Sequence, residues 1–293
     1  MEKYKVVILG SGIAGMTASI YLRRGGIEPL IIENNVPGGV LNNIYSIENY
    51  PGYEKISGPD LAMNIYNQVN NLSIKMLFMN IDSIDLDKKI INNNIEYEYL
   101  IIATGRKKKL LNIENEDLLL GKGISTCSLC DGFFYKDKKV IVVGGGSSSL
   151  TEALYLSKIC KEVIIVHRKN FFTGEKYLID RVNNTNNISL LFNSNITSYN
   201  IKDDKLVSVI INNKEEIDID GVFLSIGSRP NSSIFNVKKD NEYIIVNSNY
   251  MTSIDKVYAI GDVIQKKYYQ LGTAVNDAVV ASNEIIKRVF EEK

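Results

Sequence analysis

Residues 6–15 read VVILGSGIAG, and this stretch decides the fold of the chain. Its first four residues are apolar and mostly β-branched, which is typical of a parallel strand covered on both faces. Glycines follow directly, and residues 14–24 then carry apolar side chains at helical spacing. A second apolar run, residues 30–32, ends at Glu33. The stretch therefore predicts a β-α-β unit with a glycine-rich turn between its first strand and its helix.

The spacing of the glycines in this turn, G-x-G-x-x-G, predicts a dinucleotide site. The glycines permit a tight turn and let the backbone approach a pyrophosphate at the helix N-terminus, while Glu33 can accept hydrogen bonds from ribose hydroxyls. Such turns also occur merely to connect a strand to a helix, but the strand, the helix and the acid are all present here. The residues that we expect to bind the first nucleotide are Gly10, Ser11, Gly12, Ala14, Gly15 and Glu33.

The same pattern occurs again in the middle of the chain. Residues 140–143 read VIVV and lead into three glycines, a helix expected over residues 150–161 and a second strand over residues 163–166. A strand near the C-terminus, residues 257–260, returns to the outer unit, which the second unit interrupts. The residues that we expect to bind the second nucleotide are Gly144, Gly146, Ser147, Ser148, His167, Arg168 and Lys169.

We therefore predict an α/β protein with two Rossmann-like, three-layer nucleotide-binding domains, the second inserted in the first. The outer domain is expected to comprise residues 1–112 and 238–293, and the inserted domain residues 113–237. A polar, acid-rich passage at residues 114–117 marks the first crossing between the domains.

A C-x-x-C motif followed by a carboxylate, Cys127-Ser128-Leu129-Cys130-Asp131, lies between the two glycine-rich turns. Two thiols at this spacing can close a small disulfide ring and open it again. Half of a zinc site is the alternative, but the other candidate ligands, Cys160 and His167, are expected on a different element. We expect Cys160 to be a small buried hydrophobe.

The composition excludes several classes of protein. The chain has 293 residues, 45% of them hydrophobic, and 34 basic side chains balance 34 acidic ones. This balance does not suggest a nucleic acid or a membrane surface as partner. No apolar run approaches the ~18 residues of a membrane span, and no signal-peptide core follows the N-terminus. Three cysteines are too few for a secreted disulfide scaffold, so we expect a cytoplasmic protein.

Taken together, the motifs resemble those of the low-molecular-weight thioredoxin reductases, which are FAD-dependent pyridine nucleotide–disulfide oxidoreductases. The resemblance covers essentially the whole chain, in the order and approximate spacing of the family. Besides the two glycine-rich turns and the C-x-x-C, it rests on Gly38-Gly39, Ala103-Thr104-Gly105 and residues 252–262, TSIDKVYAIGD. It implies that the outer domain binds FAD, that the inserted domain binds NADPH, and that the protein is a homodimer.

The resemblance also implies roles for individual residues. Cys130 corresponds to the cysteine nearer the flavin, Cys127 to the cysteine that attacks the partner's disulfide, and Asp131 to the family's proposed general acid. The partner would be thioredoxin or a thioredoxin-like protein. The further residues that are expected to bind FAD are Gly38, Gly39, Leu41, Asn49, Ala103, Thr104, Gly105, Gly261, Asp262 and Gln270.

Three departures from the family pattern concern the cofactor sites. Ser149 stands where the second turn usually has a small apolar residue, and Thr173 stands where an arginine is expected after Arg168 and Lys169. Near the C-terminus, Tyr269 replaces an arginine, while Asn276 and Ala278 replace glycines. Because Thr173 removes one cation, we expect a weaker preference for NADPH than the family pattern implies, and NADH is a possible donor.

The function predicted from the sequence is thioredoxin-disulfide reductase, with electrons passing from NADPH through FAD and the Cys127–Cys130 disulfide. A related flavin–disulfide reductase with another donor, such as ferredoxin, is one alternative. It would not require Gly144, Gly146, Arg168 and Lys169. A non-catalytic flavin-binding protein is the other alternative, and it would not require Cys127, Cys130 and Asp131 together.

Overall fold

A computed structural model describes residues 1–291 of the chain. Two compact units are present. The first comprises Met1–Lys107 and Arg229–Lys293, of which the structure describes residues up to 291, and the second comprises Lys108–Ser228. The sequence predicts the two crossings a few residues further along, after residues 112 and 237. Which unit holds which cofactor stays a prediction.

Helices and strands alternate over residues 2–78 and 106–192, whereas residues 84–102 and 196–259 contain strands alone. The helices are α1 Ile13–Arg24, α2 Gly58–Asn71, α3 Glu116–Leu119, α4 Ser128–Asp131, α5 Ser147–Leu156, α6 Lys176–Asn183 and α7 Leu271–Glu291. The strands are β1 Glu2–Leu9, β2 Pro29–Glu33, β3 Lys75–Phe78, β4 Ile84–Asp85, β5 Ile90–Ile91, β6 Ile95–Ile102, β7 Arg106–Lys108, β8 Ile124–Ser125, β9 Lys139–Val143, β10 Glu162–His167, β11 Ile188–Phe192, β12 Ile196–Lys202, β13 Lys205–Ile211, β14 Glu215–Asp218, β15 Gly221–Leu224, β16 Ser228–Pro230, β17 Lys239–Asp240, β18 Tyr243–Ile244 and β19 Val257–Ala259.

The first unit is built on a sheet in the order β3-β2-β1-β6-β5-β4, with β19 paired to β6. Strands β1, β2, β3, β6 and β19 are parallel, while β4 and β5 form an antiparallel extension. Helices α1, α2 and α7 cover one face of the sheet with apolar side chains. The other face packs against the β4–β5 extension and against Phe235 and Ile244. The predicted Rossmann-like architecture is confirmed here.

The second unit has a parallel sheet in the order β11-β10-β9-β15-β8. Helices α5 and α6 cover one face, and the antiparallel sheet β12-β13-β14 covers the other. The predicted helix over residues 150–161 has different bounds: it starts at Ser147 and ends at Leu156. Beyond Leu156 the backbone tightens, because Ile159 N–H donates to the Leu156 carbonyl three residues back.

The two units repeat the same strand register. Leu9 pairs with Ile32 in the first unit and Val143 pairs with Val166 in the second, so a shift of 134 positions maps one pairing on the other. The backbone bonds that enter the glycine turns repeat as well. Gly10 N–H donates to the Ile32 carbonyl at 2.8 Å, as Gly144 N–H does to the Val166 carbonyl at 3.0 Å. Corresponding positions of the two units can therefore be compared directly.

Candidate active site

The first glycine turn leaves space for a ligand at one of its glycines and none at the other two. A Cβ atom on Gly10 would lie 2.6 Å from the Ala103 carbonyl oxygen, and one on Gly15 would lie 2.0 Å from the Gly10 carbonyl oxygen. A Cβ atom on Gly12 would meet no atom of the described chain within 4 Å. No side chain among residues 1–291 caps α1 at Gly12. Open space and uncapped N–H groups fit a phosphate at this helix N-terminus.

Glu33 fixes the shape of this turn. One carboxylate oxygen accepts hydrogen bonds from the N–H and the hydroxyl of Ser11, both at 2.7 Å, and the other accepts from the N–H groups of Asn34 and Asn35. These four bonds occupy the four acceptor sites of the carboxylate. A ribose hydroxyl could therefore bond Glu33 only by replacing one of these four donors. The Ser11 hydroxyl is the donor that can rotate away.

Two further pairs of predicted flavin residues meet within the first unit. Gly38 N–H donates to the Ser11 carbonyl at 2.9 Å, which brings the Gly38-Gly39 turn against the first glycine turn. Asn49 Nδ2 donates to Gln270 Oε1 at 3.3 Å across 221 positions of sequence.

The remaining predicted flavin residues of this unit are buried or bonded to the backbone. Leu41 is fully buried and Ala103 is nearly so. The Thr104 hydroxyl donates to the Asn231 carbonyl, and the Gly105 carbonyl accepts from the Asn231 N–H. Their contact with a flavin stays a prediction.

A buried ion pair, which the sequence reasoning missed, holds Gly261 and Asp262. Asp277 is 2% exposed, and its carboxylate accepts hydrogen bonds from the Gly261 N–H at 3.0 Å and from Lys266 Nζ at 2.8 Å. Lys266 Nζ also lies 3.8 Å from the Asp262 carboxylate. Burial raises the pKa of Asp262, while the charges of Lys266 and Arg106 oppose that rise. An acid on the apolar face of α7 was the available signal.

We expect Asp277→Ala to lower the free energy of unfolding by about 3–5 kcal/mol, since it removes the nearer carboxylate from the largely buried Lys266 ammonium and leaves only the longer contact to Asp262. Glu291→Gln breaks the exposed Lys287–Glu291 pair in the same helix and should cost less than about 1 kcal/mol. Urea unfolding of the FAD-free proteins, followed by circular dichroism, makes the comparison. Equal losses in the two variants would show that the buried pair does not stabilise the fold.

The C-x-x-C motif forms a Cys127–Cys130 disulfide. Ser125, another residue that sequence reasoning missed, organises it. The Ser125 hydroxyl donates to the Asp131 carboxylate at 2.7 Å and accepts from Cys127 N–H at 3.0 Å. Cys130 N–H donates to Cys127 Sγ at 3.1 Å. Cys127 is 9% exposed, whereas Cys130 is exposed.

The second glycine turn repeats the open space and the uncapped helix of the first, but a serine replaces its third glycine. A Cβ atom on Gly146 would meet no described atom within 4 Å, and helix α5 has no side-chain cap there within residues 1–291. Ser149, which corresponds to Gly15, donates its hydroxyl proton to the Gly146 carbonyl at 2.8 Å. The Ser147 hydroxyl accepts from Glu175 N–H at 3.0 Å, and Ser148 is exposed.

Thr173, which replaces the expected arginine, has a structural contact at this turn. Its N–H and its hydroxyl both donate to the Gly145 carbonyl, at 2.7 and 3.2 Å. His167 lies at the end of β10 as predicted, is 8% exposed, and packs its ring against Gly145. Burial lowers the pKa of His167, so the imidazole is neutral at pH 7. Arg168 and Lys169 are exposed.

Glu152 is a third residue that sequence reasoning missed. It lies in α5, its carboxylate accepts from the Ser225 hydroxyl at 3.2 Å, and Lys108 Nζ lies 3.6 Å away. Burial raises the pKa of Glu152, and the charge of Lys108 opposes that rise. Its signal in the sequence is a single charged residue in an otherwise uncharged helix.

The zinc alternative would require ligands besides the two cysteines of the C-x-x-C. No group of three or more His, Cys, Asp or Glu side chains within residues 1–291 could hold a metal ion. Cys160 is 5% exposed and lies in the apolar core of the second unit, as predicted. Burial raises the pKa of its thiol to about 11.

Among residues 1–291, no helix is both long and apolar enough for a membrane span.

Comparison with known proteins places these features in context. A family model described as pyridine nucleotide-disulphide oxidoreductase matches residues 4–278. A thioredoxin reductase of Rickettsia typhi is 36% identical and is aligned over 97% of either chain. The crystal structure of Lactococcus lactis thioredoxin reductase in its FR conformation matches with a TM-score of 0.91 at 34% identity, over 98% of this chain and 99% of that one. Thioredoxin reductase of T. acidophilum matches with a TM-score of 0.89 at 31% identity, over 99% and 100% of the two chains.

Proposed function

The chain belongs to the pyridine nucleotide-disulphide oxidoreductase family and is an oxidoreductase of the thioredoxin reductase type; we propose that NADPH is its donor, FAD its flavin and a thioredoxin-like protein its acceptor. The observation that carries this proposal is the Cys127–Cys130 disulfide with Asp131 held beside it by Ser125. A structural disulfide would not require a neighbouring carboxylate.

The residues of the first unit fit FAD. The uncapped N-terminus of α1 and the open space at Gly12 would receive the pyrophosphate, and Glu33 would bind the adenosine ribose once the Ser11 hydroxyl turns away. Asp262, held by the Asp277–Lys266 pair, would accept hydrogen bonds from the ribityl chain. Bound FAD would supply two-electron chemistry between the nicotinamide and the disulfide.

The residues of the second unit fit NADPH. The uncapped N-terminus of α5 and the open space at Gly146 would receive its pyrophosphate. Arg168 and Lys169 follow β10 directly and supply the cations that a 2′-phosphate requires. Thr173 cannot add a third cation, because it is neutral and bonded to the Gly145 carbonyl.

The thiol steps follow from the geometry of the C-x-x-C. Two electrons open the disulfide, and Asp131 would deliver the proton that one of the two sulfurs takes up. The Cys130 N–H stabilises a thiolate at Cys127. That thiolate would attack one sulfur of the partner's disulfide, and the partner's other sulfur would leave as a thiolate. Cys130 would then attack Cys127 Sγ, which re-forms the disulfide and releases the second partner thiol.

Exposed aromatic side chains beside the disulfide fit a protein acceptor. Phe133 and Phe134 follow Gly132 and are 70% and 73% exposed. Two neighbouring exposed aromatic residues are typical of a contact surface for another protein.

The resemblance also implies a homodimer and a cytoplasmic location. Analytical ultracentrifugation of the FAD-loaded protein tests whether it is a homodimer.

The test of the proposed function is a coupled assay of the purified protein with oxidised thioredoxin and either NADPH or NADH. We expect turnover with both donors and a kcat/KM that is about tenfold or more higher with NADPH, because Arg168 and Lys169 remain for the 2′-phosphate. Equal values would show that the second unit does not read the 2′-phosphate. No turnover with either donor, but turnover with reduced ferredoxin, would favour the alternative donor.

A further inference from the structure

Residues 168–172 form a rim that is fixed at both ends on the second glycine turn. At one end the His167 ring packs against Gly145, since a Cβ atom there would lie 2.4 Å from the ring. At the other end Thr173 N–H donates to the Gly145 carbonyl at 2.7 Å. The rim is therefore held against the second glycine turn at both ends and is not a free surface loop.

The two phenylalanines of the rim face in different directions. Phe172 packs inward, with its ring centroid 6.1 Å from that of His167 and 4.9 Å from that of Phe192. Phe171 faces outward and is 55% exposed. Lys169 Nζ lies over the Phe171 ring, 5.4 Å from its centroid, so a cation and an aromatic side chain are in contact at this edge of the turn.

The repeat between the units shows what lies next to this rim. His167 corresponds to Glu33, and Gly145 corresponds to Ser11, at the same shift of 134 positions as the strand pairing. In this fold the residue at the end of the second strand faces the adenosine ribose. The buried His167 Nε2 atom has no hydrogen-bond partner within residues 1–291, which fits a bound ribose or phosphate group as its partner. The residues just after it then adjoin the 2′ position and the base.

We propose that Phe171 is a binding residue for the adenine ring of the nicotinamide nucleotide, which stacks on its exposed face while Lys169 meets the 2′-phosphate. This inference rests on the proposed function of the second unit. The two side chains then have separable roles. Stacking on Phe171 does not require the 2′-phosphate, whereas the contact with Lys169 does.

The test measures dissociation constants by calorimetry for adenosine 2′,5′-bisphosphate and adenosine 5′-monophosphate, with FAD-loaded protein. Phe171→Ala should weaken both ligands by about tenfold and leave their ratio unchanged. Lys169→Gln should weaken only the bisphosphate, by about five- to tenfold. Phe171→Trp keeps an aromatic face and should restore the affinity for both.

Tyr177→Ala is the matched control. Tyr177 is 63% exposed in the same unit, and the Arg181 guanidinium lies 5.5 Å from its ring centroid. We expect no change in either dissociation constant, since this ring is outside the rim. Unchanged binding in Phe171→Ala, or an equal loss in Tyr177→Ala, would overturn the proposal. If wild type binds neither ligand and NADPH does not reduce its flavin, the proposed function itself fails.

Discussion

Cys127→Ser and Cys130→Ser should each lower the reduction of a protein disulfide by about 10³-fold or more, while NADPH still reduces the bound flavin. The loss is expected because a single thiol can neither accept two electrons as a disulfide nor resolve a mixed disulfide. Cys160→Ala is the control, since Cys160 is buried and lies outside the C-x-x-C. Stopped-flow measurement of flavin reduction by NADPH and a steady-state assay of thioredoxin reduction provide the two readouts. Substantial activity in both serine variants would place the C-x-x-C outside the electron path.

The same variants assign the attacking sulfur. The Cys130 N–H bond to Sγ favours a Cys127 thiolate, although Cys127 is only 9% exposed in the disulfide form. We therefore expect Cys130→Ser to accumulate a mixed disulfide between Cys127 and thioredoxin, visible by mass spectrometry. Accumulation in Cys127→Ser instead would give the attack to Cys130, the more exposed of the two.

Gly12→Val should give a folded, colourless protein, and Gly146→Val a folded, yellow protein that NADPH barely reduces. A Cβ atom at either position would meet no described atom within 4 Å, and both backbones are extended, with φ of −67° at Gly12 and −95° at Gly146. Valine therefore fits the fold but occupies the space that a pyrophosphate requires. We expect each variant to weaken its own nucleotide by about 100-fold or more.

Circular dichroism verifies the fold of both variants. The FAD content after reconstitution gives the outcome for Gly12→Val, and the rate of flavin reduction by NADPH gives the outcome for Gly146→Val. Because the two substitutions are matched, they also assign the cofactors to the units. The reverse pattern, a colourless Gly146→Val and a yellow Gly12→Val, would exchange the two sites. FAD binding and reduction at wild-type levels in both variants would show that neither turn binds a nucleotide.

Local patterns predicted the fold and the positions of both glycine turns. Residues 6–15 and 140–149 each combine a buried strand, a turn and a helix start, and these depend on neighbours in sequence. The sequence predicts a final helix over residues 273–289, whereas α7 begins two residues earlier, at Leu271. The Thr273 hydroxyl accepts a hydrogen bond from Gln270 N–H, and the Gln270 carbonyl accepts the first helical bond. Thr273 therefore lies in the first turn and does not begin the helix.

Contacts between distant residues could not be predicted in this way. Asp277 bonds Gly261, and Thr173 bonds Gly145 across 28 positions. From sequence, Thr173 was interpreted only as the loss of an arginine. Its bond to the Gly145 carbonyl depends on how the loop after β10 returns to the glycine turn, which no periodicity encodes. Ser125 was missed for a different reason, because it lies close in sequence to Cys127 and Asp131 but belongs to no recognisable motif.

We expect NADPH to supply electrons to a flavin and then to the Cys127–Cys130 disulfide. Anaerobic titration of the FAD-loaded protein with NADPH, followed by absorbance at about 450 nm, tests this electron path most directly. We expect wild type to take up about two equivalents before the flavin band is fully bleached, one for the disulfide and one for the flavin, and the Cys127→Ser variant to take up about one. A flavin that dithionite bleaches but neither NADPH nor NADH does, or equal uptake in wild type and variant, would contradict this expectation.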